Sequence, residues 1–183
     1  SSYLNIYFNS VNITDGYSYY SAACYFEYGS NISLQNNILA STSASSAGYA
    51  IYTNSSSNII ASDYNDLFTN GNYLGYWSGS RANLANWQTA SGKDANSVSV
   101  NPLFASDTDL HTYALALDGT ANPIAGITTD FDAENRDVST PDIGADEFEI
   151  TPLAGIYYVG GTNPDFATIS DAVYALSVRP VAD

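Results

Sequence analysis

Three asparagines, Asn9, Asn37 and Asn65, recur at spacings of 28 and 28 residues, each within a short run of aliphatic and polar residues. A second set, Asn5, Asn31 and Asn58, recurs at 26 and 27, with Ile6, Ile32 and Ile59 directly after. A fixed period of this size signals one supersecondary unit per repeat. A period near 27 built of short strands is too long for a hairpin and lacks the crossover helices of a βαβ array. It predicts an all-β chain wound as a parallel β-solenoid, with successive coils about 4.8 Å apart. Aliphatics would point inward and the six asparagines would sit at corners, where Asn tolerates left-handed backbone and bonds locally. Stacked amides would add roughly 0.5–1.5 kcal/mol per bond from coil to coil. Second strands read as AACYFEY (22–28), GYAIYTN (48–54) and YLGYWSG (73–79), rich in residues with β preference. The alternative is an antiparallel sandwich with coincidental asparagines. Its turn signals exist at Asp15-Gly16, Asn70-Gly71 and Asp118-Gly119, but they do not follow the repeat.

Beyond the third coil, Leu84 and Trp87 lie three apart within residues 78–94, which predicts a short inserted helix tucked onto the solenoid. SVSVNPLF (97–104) alternates with period two and predicts a fourth strand, followed by DLHTYALA (109–116).

Charge narrows the partners. Nineteen acids against four bases give a formal net charge of −15. Nucleic acid and anionic membrane surfaces need clustered Lys and Arg, so neither is expected as a partner. No run approaches the eighteen or more apolar residues of a membrane helix, so no membrane insertion is expected. No signal peptide is visible at the N-terminus. Abundant Ser, Asn, Thr and Tyr, with no Met and hardly any Lys, suit an extracellular or bacterial cell-surface location. Cys24 sits in an apolar run and reads as a buried thiol; one cysteine forms no disulfide within the chain.

The segment TDFDAENRDVSTPDIGADEFEI (129–150) crowds carboxylates around Arg136. As a metal site it offers calcium the carboxylates Asp130, Asp132 and Asp142 or Asp146. The helix-loop-helix calcium pattern fails, with Asn135 where a Gly belongs and Pro141 where a bidentate Glu belongs. As a catalytic site it lacks a visible pairing of two acids across a cleft. His111 reads as a hydrogen-bonded structural residue, and no catalytic residue is assigned. As a clasp it is coherent: the Arg136 fork can take a carboxylate, with Asp142 or Asp146 as partner. Gly144 supplies backbone freedom, and Ile143 and Phe148 would cover the open end of the last coil. The clasp set is therefore Asp130, Asp132, Arg136, Asp142, Gly144 and Asp146.

SDYNDLF, ANLANWQTASGKDANSVSVNPLF, TDLH, ITTDFDAENRD and PDIGADEF occur in that order. Over roughly residues 30–148 the chain resembles right-handed parallel β-helix modules of large secreted bacterial surface proteins, many of them associated with type 9 secretion. Two departures stand out: Ala133 where such modules usually have Gly, and NPIAG (122–126) in place of a Ser-Pro-Ala stretch. Residues 155–177 resemble the beginning of another module. There Thr168 and Asp171 read as a helix-start box, and Ile169, Val173 and Leu176 as an apolar stripe.

The expected organisation is thus residues 1–150 as the later part of one β-helix module, and 151–183 as the first strand and capping helix of the next. The 183 residues would then be a window on a longer tandem-repeat polypeptide. The resemblance implies a non-enzymatic structural module of an adhesin or filament, a stiff rod that presents binding surfaces. Its partners would be neighbouring modules of the same polypeptide or identical subunits. The alternative is a carbohydrate-binding or polysaccharide-degrading β-helix, using an aromatic strip of Tyr19, Tyr20, Tyr49, Tyr52, Tyr73, Tyr76 and Trp77. Tyr76 and Trp77 are the candidates for stacking on cell-surface or environmental polysaccharide.

Overall fold

The computed structural model describes residues 3–15, 21–43, 48–162, 164–179 and 181, with the backbone alone for Asp171 and Val178. Tyr19, Tyr20 and the Asp171 side chain of the expected helix-start box lie outside the described residues.

The fold is mostly β, in three parallel sheets. Strands β1 (Leu4–Tyr7), β4 (Ile32–Gln35) and β7 (Ile59–Asp63) form the first. Strands β2 (Ser10–Ile13), β5 (Ile38–Ser41) and β8 (Asp66–Thr69) form the second. Strands β3 (Ser21–Phe26), β6 (Gly48–Thr53) and β9 (Gly75–Trp77) form the third, to which β10 (Ser80–Arg81) adds antiparallel. Every strand up to β9 therefore pairs with the one three places along. Leu4 faces Ile32, an offset of 28, and Ser21 faces Gly48, an offset of 27. Ile59 faces Ile32 but Ala61 faces Ser33, so Ile60 is an extra, solvent-facing residue that absorbs the difference.

Alternate residues of these strands serve two cores. Ile32, Leu34, Leu39, Ala50, Ile51, Ile59, Leu67 and Trp77 fill an inner core to which all three sheets contribute. The other face of β5 and β8 carries Ile38, Ala40 and Phe68 into an outer core beneath the returning segment, with Leu117, Ala121 and Ile143. A strand buried on both faces reads as a continuous apolar run, which is why β5 is ILAS without a solvent-facing residue.

Helix α1 (Leu84–Ser91) starts on the Asn83 side-chain cap and ends at left-handed Gly92. Its Trp87 enters the inner core edge-on to Trp77, at 5.3 Å between ring centroids. Gly75 makes room for it: a Cβ there would lie 2.8 Å from the Trp87 ring.

Two expected strands do not form. Within 97–104 only Val98 bridges, to Asp66. The Val100 N–H goes to the Asp66 carboxylate rather than to a backbone carbonyl, and left-handed Leu103 turns the chain away. Residues 151–168 make isolated bridges at Leu153 and Val159 in place of the expected first strand. Helix α2 (Ile169–Val178) follows; Ile169, Val173 and Leu176 of the expected stripe are exposed, with Leu176 at the border of an apolar cavity shared with Leu153, Val159 and Phe166. No helix of the described residues is long and apolar enough to cross a membrane.

Candidate functional site

Asn9, Asn37 and Asn65 form one continuous amide ladder across the stacked strands. The Asn37 Oδ1 accepts the backbone N–H and side-chain amide of Asn9, at 3.1 and 3.0 Å. Asn65 Oδ1 accepts the same two groups of Asn37, both at 3.0 Å. The ladder ends on Asp94. Its Oδ1 accepts from Asn65 Nδ2, Ser62 Oγ and Ser97 Oγ, and its Oδ2 from Trp87 Nε1 at 2.7 Å. A carboxylate that takes four side-chain donors closes the chain of amides, and burial raises the stakes of each bond.

The corner geometry differs from expectation at two points. Of the six repeat asparagines Asn31 is left-handed, with φ 58°; at the ladder the left-handed residues are those just before it, Phe8, Asn36 and Tyr64, with φ of 54, 60 and 55°. Turning there delivers the next residue's amide onto the neighbouring strand set. Asn5 is not equivalent to Asn31: it lies mid-strand opposite Ser33, exposed. Asn31 and Asn58 instead precede their strands, and their carbonyls accept from Leu4 and Ile32. Matching Asn-Ile pairs by identity misplaced the register by two, which preserves the inward face and therefore looks plausible.

The acidic segment runs back along the side of the stack rather than over its last strands. Ala145 N–H donates to Ser10 Oγ at 3.0 Å, and Gly144 N–H to the Asn36 carbonyl at 3.0 Å. Gly144 has φ 115° and packs so tightly that a Cβ would lie 2.6 Å from Ile38 Cδ1. Arg136, buried, stacks over the Phe8 ring at 4.1 Å. Its carboxylate partner is Glu147, at 3.2 Å, neither Asp142 nor Asp146. The fork otherwise binds the carbonyls of Gly144 and Ala145, so it grips the backbone that crosses it. Asp142 accepts from the amides of Gly119 and Phe148 at 2.5 and 2.6 Å, and burial pushes it up to about 7. Ile143 is buried in the outer core and Phe148 packs against it. Ala133 has φ 70°, which explains physically why glycine suits that position.

Asp142 does not join Asp130 and Asp132 as a calcium set, whereas the alternative, Asp146, brings a carboxylate oxygen within 4.8 Å of one of Asp132. Asp130 is spent on the amides of Asp132, Glu134 and Glu147. Asp132 turns instead to His111, whose Nε2 lies 2.8 Å from Asp132 Oδ2 while Nδ1 bonds the Asp109 carboxylate. Hydrogen bonding of its ring to the acceptor carboxylates of Asp109 and Asp132 pushes His111 up to about 9. Asp146 lies beside it, raised to about 6 by burial against the opposing pull of His111. His111, Asp132 and Asp146 border a cavity of about 570 Å³ that also touches Tyr113, Glu149 and Arg179.

The aromatic strip is a stacked column. Tyr25 and Tyr52 lie 4.9 Å apart at 17°, and Tyr52 and Tyr76 4.4 Å apart at 10°, close to the strand spacing. Both faces of Tyr52 are therefore covered by tyrosine. Tyr49 meets Tyr52 edge-on, and Tyr73 is exposed. Trp77 is buried against Trp87 and offers no face to a sugar, while Tyr76 gives one face to Tyr52. Cys24 packs against the inner core, and burial raises its thiol to about 12.

Sequence reasoning missed Asp94, Asp66 and the His111–Asp146 neighbourhood. For Asp94 a signal existed: an acid three residues before Ser97, in the turn that replaces a fourth asparagine. Asp66 carries none, since an acid beside Asn65 in a strand reads as solvent-facing. Comparison with family models, curated proteins and solved structures finds no match to this chain.

Proposed function

We propose that the chain is a segment of a right-handed parallel β-helix, and that it works as a non-enzymatic structural module of a tandem-repeat adhesin or filament at a cell surface. The observation that carries this reading is the pairing of each strand with the one three places along, tied by the amide ladder. Repetition of that unit makes a rod whose stiffness comes from coil-to-coil bonds, with stability summed over neighbouring coils. The outer edges of β1, β2 and β3 are paired with no other strand among the described residues. That edge suits another coil of the same kind, from a neighbouring module or an identical subunit. The resemblance to type 9 secretion-associated surface modules points the same way. Calcium is not required by this reading.

The carbohydrate alternative rests on the tyrosine column, and self-stacking weakens it by covering the ring faces that a sugar would need. The test is the mass, under denaturing conditions, of the native polypeptide that carries this sequence. A mass far above 19.5 kDa is expected of a repeat rod. A mass near that value, with sedimentation as a monomer, would defeat the reading. Retention on insoluble polysaccharide lost in Tyr76→Ala would favour the carbohydrate-binding alternative, and release of reducing ends would favour an enzyme.

A further inference from the structure

His111, Asp132 and Asp146 each present one ligand-type atom, and all of these lie within 4.8 Å of one another. Three features separate this group from an ordinary acidic surface. Asp146 is only 6% exposed, receives no side-chain hydrogen bond from the described residues, and yet aims its carboxylate at the imidazole and at Asp132. Its oxygens open onto the cavity, where the His111 ring alone offsets a negative field to which Asp130, Asp132 and Glu134 all add, a field that a bound cation would relieve. The imidazole is also oriented from behind: Asp109 bonds Nδ1 and leaves Nε2 pointing into the group. A carboxylate on the far ring nitrogen is the usual support of a metal-binding histidine. Finally, the two loops that bring the carboxylates are locked together. Asp130 accepts the Asp132 and Glu134 amides through Oδ1 and the Glu147 amide through Oδ2.

We propose that His111 Nε2 and the carboxylates of Asp132 and Asp146 form a binding site for a divalent transition-metal cation of the zinc type. The donor set decides the class of ion. Calcium takes six to eight oxygens, whereas one imidazole and two carboxylates suit Zn²⁺ and its first-row neighbours. Glu134 lines the same cavity without belonging to the group. A bound ion ties the segment carrying His111 to the acidic segment that grips the side of the stack. The site would thus staple the last non-strand region to the strands.

The chain has one histidine, so its ring ¹⁵N resonances report on the site without ambiguity. Zn²⁺ added to the chelator-stripped full chain should shift the His111 Nε2 resonance and saturate at one equivalent. Asp146→Asn and Asp132→Asn should each weaken binding by at least about tenfold, and Asp109→Asn by about tenfold through the support it withdraws. Glu134→Gln should leave the affinity unchanged. Should a variant fail to fold, the wild-type resonance still decides. An Nε2 resonance unmoved by millimolar Zn²⁺ overturns the site. So does equal affinity in Asp146→Asn, or tighter binding of Ca²⁺ than of Zn²⁺.

Discussion

The two ends of the strand stack are built differently. At the β7–β9 end every edge is occupied. Antiparallel β10 covers β9, Val98 bridges β8, and Asp63 on β7 takes the backbone and side-chain amides of Asn96 at 2.7 and 2.8 Å. Asp94 gathers the ladder beneath Trp87. At the β1–β3 end the strands are only half-buried, Tyr3 and Leu4 are exposed, and Asn9 begins the ladder in solvent. The same repeating unit is thus covered at one end and without a further strand partner among the described residues at the other.

If the closed end carries the ladder's energy, Asp94→Ala should be the most damaging change. It leaves the donors of Ser62, Asn65, Ser97 and Trp87 without their acceptor in a buried site. A loss on the order of 4 kcal/mol in urea unfolding is expected, less than the sum of separate bonds because they share one network. The ladder should then show a gradient. Asn65→Ala should cost about 3 kcal/mol, since both its faces are bonded inside the protein, and Asn9→Ala under about 1 kcal/mol, since water replaces what it loses. Equal costs at the two positions would remove the distinction between the ends.

Asp66 sharpens the comparison through pH. It is buried at the closed end, with Oδ1 on the Val100 amide and Oδ2 without a partner among the described residues, and burial pushes it up to about 8 from 3.8. Between those values the folded protein holds a proton that the unfolded chain has released, so stability falls as pH rises. A decline of about 2 kcal/mol between about pH 6 and about pH 8 is expected. Asp66→Asn, which stays neutral, should remove that share of the decline in unfolding midpoints followed across pH and leave the part due to Asp142 and His111, whose raised values act with the same sign. The smallest effect concerns the corner itself. Tyr64 holds a left-handed backbone that Asn adopts more readily, so Tyr64→Asn should raise stability by about 0.5 kcal/mol in the same assay.

What could be read from the residues alone follows from where the physics is periodic. The 28-residue spacing of Asn9, Asn37 and Asn65 fixes the register of β1/β4, β2/β5 and β5/β8, because a ladder demands the same residue at the same height. Left-handed Asn31 and Asn36 match what their residue type favours, whereas Phe8 and Tyr64 stayed hidden because they are not residues that prefer such angles. The grip of Arg136 on carbonyls was equally illegible, since main-chain acceptors leave no mark in a sequence. His111, Asp132 and Asp146 meet only because the acidic segment folds back along the stack, and spacings of 21 and 14 residues follow no pattern that a periodic reading could catch.

Residue-resolved hydrogen exchange tests the difference between the ends most directly. The amides of Asn37, Asn65 and Leu67, bonded to Asn65, Ser97 and Val98, should exchange only through global unfolding, while outward amides of β1–β3 should exchange within minutes. Uniform protection across both ends, or an Asn65 amide as labile as the open edge, would contradict the account.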